Sequence, residues 1–251
     1  MKRIICLALL GVATMVYAKK EAARRPDPYW LLLREADRTD EDKKEDTARK
    51  PLELLRLLEI KAGWKVLDLA SGAGYMCELL ARASGPTGKV WCQNPKEFND
   101  KFPDMAKAFQ ARLVRPINKT VVGVERPMDD PAAPEAKELD LAINGFVYHD
   151  TIWLGADRDK MNKAIFAALK PGGLYVILDH SAKDGAGGTV AQTLHRVEEK
   201  LVVEEVQKAG FTLARKGEFL RNAEDPRDAG VFGPLRGKTD RFILVFQKPA
   251  K

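Results

Sequence analysis

His149, His180 and His195 are the three imidazoles of this 251-residue chain. Two adjoin carboxylates: His149 precedes Asp150, and His180 follows Asp179. Imidazole titrates near neutral pH, so such a residue can serve as a general base. Neutral imidazole is also a common ligand for divalent metals, and these three with Asp150 or Asp179 would make a donor set. Nothing in the spacing demands a metal, and the reading adopted is a base, His149 or His180, with no metal ion. Taken singly, each is equally a hydrogen-bonded loop histidine. Tyr148 could line a substrate pocket, and packing explains it as well.

The second chemical feature is Val66-Leu67-Asp68-Leu69-Ala70-Ser71-Gly72-Ala73-Gly74-Tyr75. An apolar strand runs into an acid, a glycine-bearing turn and a helical run from Met76 to Ala83. Such a turn offers backbone N–H groups to a nucleotide-like ligand, and its glycines permit tight bending and close approach. The segment resembles motif I of class I S-adenosylmethionine-dependent methyltransferases, an acid followed by Gly-x-Gly-x-Gly, with Ala70 in the first glycine place. A nicotinamide or flavin dehydrogenase is the alternative, but its third glycine would fall on Cys77. Asp68, on the strand before the glycines, suits the methyltransferase pattern better.

Alternating elements must position these groups. Pro51 opens a helix with leucines on one face, and Gly63 closes that unit. Strands are expected at 88–94, 120–124, 139–144 and 174–179. Helices are expected at 161–169 and 195–209, and final strands at 211–219 and 241–247. This pattern implies an α/β fold with a mostly parallel, doubly wound sheet and helices on both faces. In such sheets the ligand crevice lies beyond the carboxyl ends of the strands, the rim on which all three histidines fall. Arg34 to Lys50 is dense in charge and reads as a solvated helix or mobile arm. The loop from Asn222 to Asp240 is long enough to be a lid or binding loop. Its Arg236 and Lys238 could meet an anion, although solvated charge is the plainer reading.

Further segments are similar to a narrower group, the predicted exported bacterial methyltransferases: Asn144-Gly145-Phe146-Val147-Tyr148-His149-Asp150, Asp179-His180, Leu194-His195-Arg196 and Arg236-Gly237-Lys238-Thr239-Asp240. The Lys170-Pro171-Gly172-Gly173 turn and the closing strand pair suit class I methyltransferases generally. The resemblance implies a Rossmann-like seven-stranded sheet ordered 3-2-1-4-5-7-6. It implies S-adenosylmethionine as cofactor, methyl transfer to a small molecule, and cofactor contacts from Asp68, Ala70, Gly72, Gly74, Asn94, Asp129 and Asn144. Asp130 shares the region of Asp129, where the adenine amino group is often met. Asn94 stands where an acid usually holds the ribose. An uncharged amide there implies weaker cofactor binding or a different ligand.

Lys2 and Arg3, an apolar run from Ile4 to Val16, and Val16-Tyr17-Ala18 read as a signal peptide cleaved after Ala18. The run is too short to span a bilayer, so no stable membrane insertion is expected after cleavage. An N-terminal helical segment, 19–62, then precedes the class I methyltransferase-like domain, 63–251. Losing Lys2 and Arg3 leaves 40 basic against 36 acidic side chains, a net charge of +4. With both signs interspersed, nucleic acid is not implied as a partner. Cys77 and Cys92 remain in the mature chain. Export would permit a disulfide, but two buried free thiols are the expectation. Export also raises a problem of cofactor supply, because S-adenosylmethionine is cytosolic. A non-catalytic envelope protein that binds a ligand with this fold is therefore the second reading.

Overall fold

The computed structural model describes residues 26–250, so the signal-peptide expectation lies outside the described residues. Seven strands form one sheet: β1 Lys65–Leu69, β2 Lys89–Asn94, β3 Val121–Glu125, β4 Leu139–Gly145, β5 Leu169–His180, β6 Thr212–Gly217 and β7 Arg241–Gln247. Their order is β3-β2-β1-β4-β5-β7-β6. The first five pair in parallel, and β7 runs antiparallel between β5 and β6. This is the expected order.

The helices are α1 Pro28–Leu33, α2 Asp40–Arg49, α3 Pro51–Leu58, α4 Tyr75–Ser84, α5 Lys96–Lys101, α6 Pro103–Leu113, α7 Tyr148–Trp153, α8 Arg158–Ala168, α9 Ala191–Leu194 and α10 Glu199–Lys208. Strand side chains alternate between faces, so the sheet has two cores. On one face Leu54, Leu55 and Leu58 of α3 and Leu79 and Leu80 of α4 cover Val66, Val90 and Leu141. On the other, Met161 and Ile165 of α8 and Val202 and Val206 of α10 cover Leu67, Ala142 and Tyr175. Each fully buried aliphatic side chain contributes about 1.5–3 kcal/mol, so two covered faces fix the strand register firmly.

Two segments depart from the sequence reading. Arg34 to Lys50, expected as a solvated helix or mobile arm, does contain a helix, α2, but it is docked on the domain by its charges. Thr39 caps α2, with its Oγ1 accepting from the Asp42 N–H at 3.1 Å. Arg38, 3% exposed, makes a two-pronged ion pair with Asp46 at 2.6 and 2.8 Å. Asp42 receives both prongs of Arg112 from α6 at 2.6 and 2.8 Å. The charges of this segment thus dock it onto the domain. The expected helix from His195 also differs. Short α9 ends at His195, whose backbone turns left-handed with φ 53°, and α10 begins only at Glu199.

Candidate active site at the carboxyl ends of the strands

The turn after β1 is built largely from its own hydrogen bonds. Ala70, Gly72 and Gly74 all have positive φ: 45°, 58° and 84°. Glycine adopts this region freely, whereas Ala70 holds it at a cost. The Ala70 N–H donates to Oε1 of buried Gln93 at 2.9 Å, and the Gln93 amide donates on to the Arg126 carbonyl. Asn94 makes a reciprocal pair with Gly72: its Oδ1 accepts from Gly72 N, and its Nδ2 donates to Gly72 O, both at 2.9 Å. The Gly74 N–H donates to the Ser71 carbonyl.

The N–H groups of Ala70, Gly72 and Gly74, which the sequence reading offers to a ligand, are therefore occupied within the turn. Asn94, 1% exposed, clamps the turn rather than presenting its amide to a ribose. The space beside Gly74 is filled by protein: a Cβ there would lie 2.8 Å from Arg112 Cδ and 3.1 Å from the Phe109 ring. Arg112 also donates to the Ala73 carbonyl at 2.8 Å, tying α2 and α6 to the turn.

Cys77 and Cys92 form a disulfide, against the expectation of free thiols. Parallel register sets Cys92 beside Asp68, and α4 returns Cys77 to the same point. Asp68 is 2% exposed, with Oδ2 3.1 Å from Cys77 Sγ. A disulfide sulfur has no proton to give, so it cannot stabilise a carboxylate. Burial pushes the Asp68 pKa up to about 7, despite the opposing hydrogen bond from Ser71 and the nearby charge of Arg49.

The histidines meet around two carboxylates. At the end of β5, fully buried Asp179 accepts from His149 through both the backbone N–H, at 2.8 Å, and Nδ1, at 2.7 Å. It also accepts from the His180 N–H at 2.7 Å. An acceptor carboxylate places the proton on His149 Nδ1, so Nε2 points the other way, 3.3 Å from Asp150 Oδ1. His195 Nδ1 approaches the same oxygen at 3.7 Å, and the Trp153 indole N–H donates to it at 2.8 Å. His180 stands apart, with its Nδ1 2.8 Å from Thr239 Oγ1.

The two central rings differ in charge. Burial works to lower the His149 pKa, but Asp179 and Asp150 outweigh it and raise the value to about 10. Burial holds His180 well below the ordinary histidine range, aided by the charges of His149, Arg241, Arg196 and Arg49. At neutral pH His149 is thus a cation that cannot accept a proton, whereas His180 is neutral and can. Of the two expected bases, His180 is in the required form.

The other expected site residues lie elsewhere. Tyr148 is fully buried in the core under α8 and donates to Glu205 at 2.8 Å; it lines no pocket. Asn144 is fully buried, and both polar atoms of its amide lack a partner. The alternation of β4 turns its side chain toward the core face with Ala142. Asp129 pairs with Lys160 at 2.9 Å, and Asp130 with Arg126. The loop from Asn222 to Asp240 is anchored by a fully buried ion pair between Arg196 and Asp225 at 2.8 Å. Arg236 reaches Glu45 at 3.4 Å.

Sequence reasoning missed the apolar cluster of Ala70, Phe98, Met128 and Val147, against which Met105 packs. These residues come from separate loops and short helices, so periodicity carries no sign of them.

No family model matches the chain. Over 123 residues it is 30% identical to the ubiquinone/menaquinone biosynthesis C-methyltransferase UbiE of Cupriavidus metallidurans, a stretch covering 49% of this chain and 45% of that protein. A stretch of 32 residues is 50% identical to the protein of the same name from Burkholderia multivorans, 13% of each chain. The chain spans about half the length of the curated relatives it matches over the longer stretches.

Among solved structures, a SAM-dependent methyltransferase from Aquifex aeolicus aligns with TM-score 0.61 and 18% identity, covering 89% of this chain and all of that one. An S-adenosylmethionine-dependent methyltransferase from Mesorhizobium loti aligns with TM-score 0.55 and 16% identity, over 80% and 97% of the two chains. The [4+2]-cyclase SpnF aligns with TM-score 0.57 and 14% identity, over 81% and 82%. The fold is the Rossmann-like one of S-adenosylmethionine-dependent methyltransferases. A cyclase also shares it, so the fold alone does not fix the reaction.

Proposed function

We propose that this protein transfers a methyl group from S-adenosylmethionine to a small-molecule acceptor. One observation carries the reading. The sheet ordered β3-β2-β1-β4-β5-β7-β6 has a glycine turn at the end of β1 and a histidine–aspartate cluster beyond β4 and β5, on the same rim. That is where ligands bind in open α/β sheets. The partial likeness to UbiE supports the same reading.

The residues present fit the cofactor in part. The Ala70, Gly72 and Gly74 amides are engaged within the turn, so the fit rests on the apolar surface of Ala70, Phe98, Met128 and Val147 beside it, which suits an adenine ring. No acid replaces Asn94 at the end of β2, so ribose binding relies on neutral groups or backbone. When bound, the cofactor supplies an activated methyl group on a sulfonium. The chain's task is to align an acceptor and manage its proton. Neutral His180 is the candidate base. Asp179 holds His149 and His180 in place, and Thr239 fixes the His180 ring.

Export belongs to the same proposal. Its supports are the basic start, the short apolar run and Ala18, together with the Cys77–Cys92 disulfide, a bond that persists in oxidising compartments. None of the described helices is long and apolar enough to cross a membrane. Mass spectrometry of protein made in a bacterial host should find a mature N-terminus at Lys19; an intact Met1 would contradict export. Calorimetry of the mature protein tests the cofactor. S-adenosylmethionine and S-adenosylhomocysteine should bind and NADH should not. Binding of NADH alone, or of none of the three, would overturn the methyltransferase reading.

A further inference from the structure

We propose that His149, Asp150 and His195 form a binding site for a divalent first-row transition metal ion. His149 Nε2, an Asp150 carboxylate oxygen and His195 Nδ1 lie within 4.8 Å of one another. Two donors each about 2.1 Å from a common ion, at angles between octahedral and tetrahedral, are about 3.0–3.4 Å apart. The observed 3.3 Å from His149 Nε2 to Asp150 and 3.7 Å from His195 Nδ1 to Asp150 are close to that spacing. The two imidazole nitrogens lie within 4.8 Å of each other, and an inward movement of the His195 ring would bring all three donors to that spacing.

Binding of the ion displaces the proton that His149 Nε2 carries while the ring is a cation. The surroundings otherwise match what such a site needs. A histidine ligand is ordinarily oriented by a hydrogen bond from its other ring nitrogen to a carboxylate. Asp179 provides this bond to His149 Nδ1 at 2.7 Å and is itself fully buried. Trp153 fixes Asp150 through its indole N–H. His195 is presented by a left-handed backbone at φ 53°, an uncommon conformation for a residue with a side chain and one concentrated at functional sites. The His195 ring is only partly exposed, and Phe232 packs against it with centroids 4.9 Å apart.

Two histidines and one carboxylate leave coordination positions open, a pattern that suits iron(II), zinc(II) and related ions. His180 is not part of the set, because its ring faces Thr239. An open position would take an oxygen of the acceptor and make its hydroxyl more acidic. That last role rests on the methyl-transfer reading; binding of the ion does not.

Tag-free protein with the disulfide intact should be titrated with zinc(II) by calorimetry and with cobalt(II) by visible absorption. About one equivalent should bind, and cobalt should show bands of a histidine-ligated ion. His195→Ala should abolish the cobalt bands and weaken zinc binding at least 10-fold. Asp179→Asn should weaken zinc binding about 10- to 100-fold, as loss of an orienting partner does. His180→Ala should leave zinc affinity unchanged. S-adenosylhomocysteine titrated into His195→Ala should bind as in the wild type, which keeps the two readings separable. Absence of zinc binding to the wild type, or wild-type affinity in His195→Ala, would overturn the metal site. Equal losses in His180→Ala and His195→Ala would do so as well.

Discussion

Asp179 binds both the backbone and the ring of His149, through Oδ2 to the N–H at 2.8 Å and through Oδ1 to Nδ1 at 2.7 Å. One carboxylate at the end of β5 thereby fixes where α7 starts and which way its histidine faces. Replacing it by Asn leaves one oxygen for three N–H donors and removes a charge buried against an imidazolium. Breaking a buried pair from one side costs about 3–5 kcal/mol. Thermal denaturation of Asp179→Asn should show a melting temperature lower by roughly 6–20 °C, at about 2–4 °C per kcal/mol for a domain this size. A shift under about 2 °C would mean that Asp179 does not hold this rim together.

Asp68 gives a pH dependence with a definite sign. Its carboxyl has an ordinary value of 3.8 and is raised to about 7 in the fold by burial. The unfolded chain loses this proton first, so between those values stability falls as pH rises, and the loss is complete above about 7. Asp68→Asn removes the titration. The variant should match the wild type near pH 4 and melt several degrees higher at pH 8. A constant difference between the two proteins across that range would show that Asp68 does not titrate there.

Asn94→Asp tests the clamp on the glycine turn. If Asn94 held a ribose, the added charge would tighten binding of an adenosyl ligand. The structure predicts the reverse. The carboxylate would face the Gly72 carbonyl in place of the donating Nδ2, leaving a repulsive contact in a buried place. A buried polar group left unpaired costs about 1–3 kcal/mol. The melting temperature should fall, and affinity for S-adenosylhomocysteine should fall with it. Tighter binding in a variant of undiminished stability would restore the ribose role.

The disulfide closes a loop between positions 15 residues apart. In the chain-entropy account such a loop contributes about 3 kcal/mol. Reduction under native conditions, or the paired substitution of Cys77 and Cys92 by Ala, should lower stability by about that amount. Alkylation of the unreduced, denatured protein should label neither Cys77 nor Cys92. Labelling of both would remove the bond and, with it, one support for export.

Strands were legible because five buried runs of branched and apolar residues, such as Leu139 to Ile143, have no other place than a sheet covered on both faces. The order followed from the family resemblance. The site was legible at the level of position along the chain: Asp179 and His180 end β5 and His149 follows β4, so all three fall on the rim. Side-chain direction was not legible. Asn144 and Tyr148 belong to the same motif as His149, yet strand alternation and the start of α7 turn both into the core. Arg38 and Asp42 looked like solvated charge because their partners, Asp46 and Arg112, become visible only once α2 and α6 are packed. The disulfide was missed for a related reason. It depends on the register of β1 against β2, which sets Cys92 beside Asp68 and facing Cys77.

In the proposed function, one rim both holds the adenosyl cofactor beside the Ala70–Gly74 turn and carries the base for acceptor methylation. A crystal structure of the mature protein grown with S-adenosylhomocysteine tests it most directly. The adenine should lie against Phe98 and Met128, the ligand should pass the Ala70–Gly74 turn, and the thioether sulfur should point toward His180. A ligand bound away from the ends of β1 and β4, or one whose sulfur points away from the histidine rim, would contradict it.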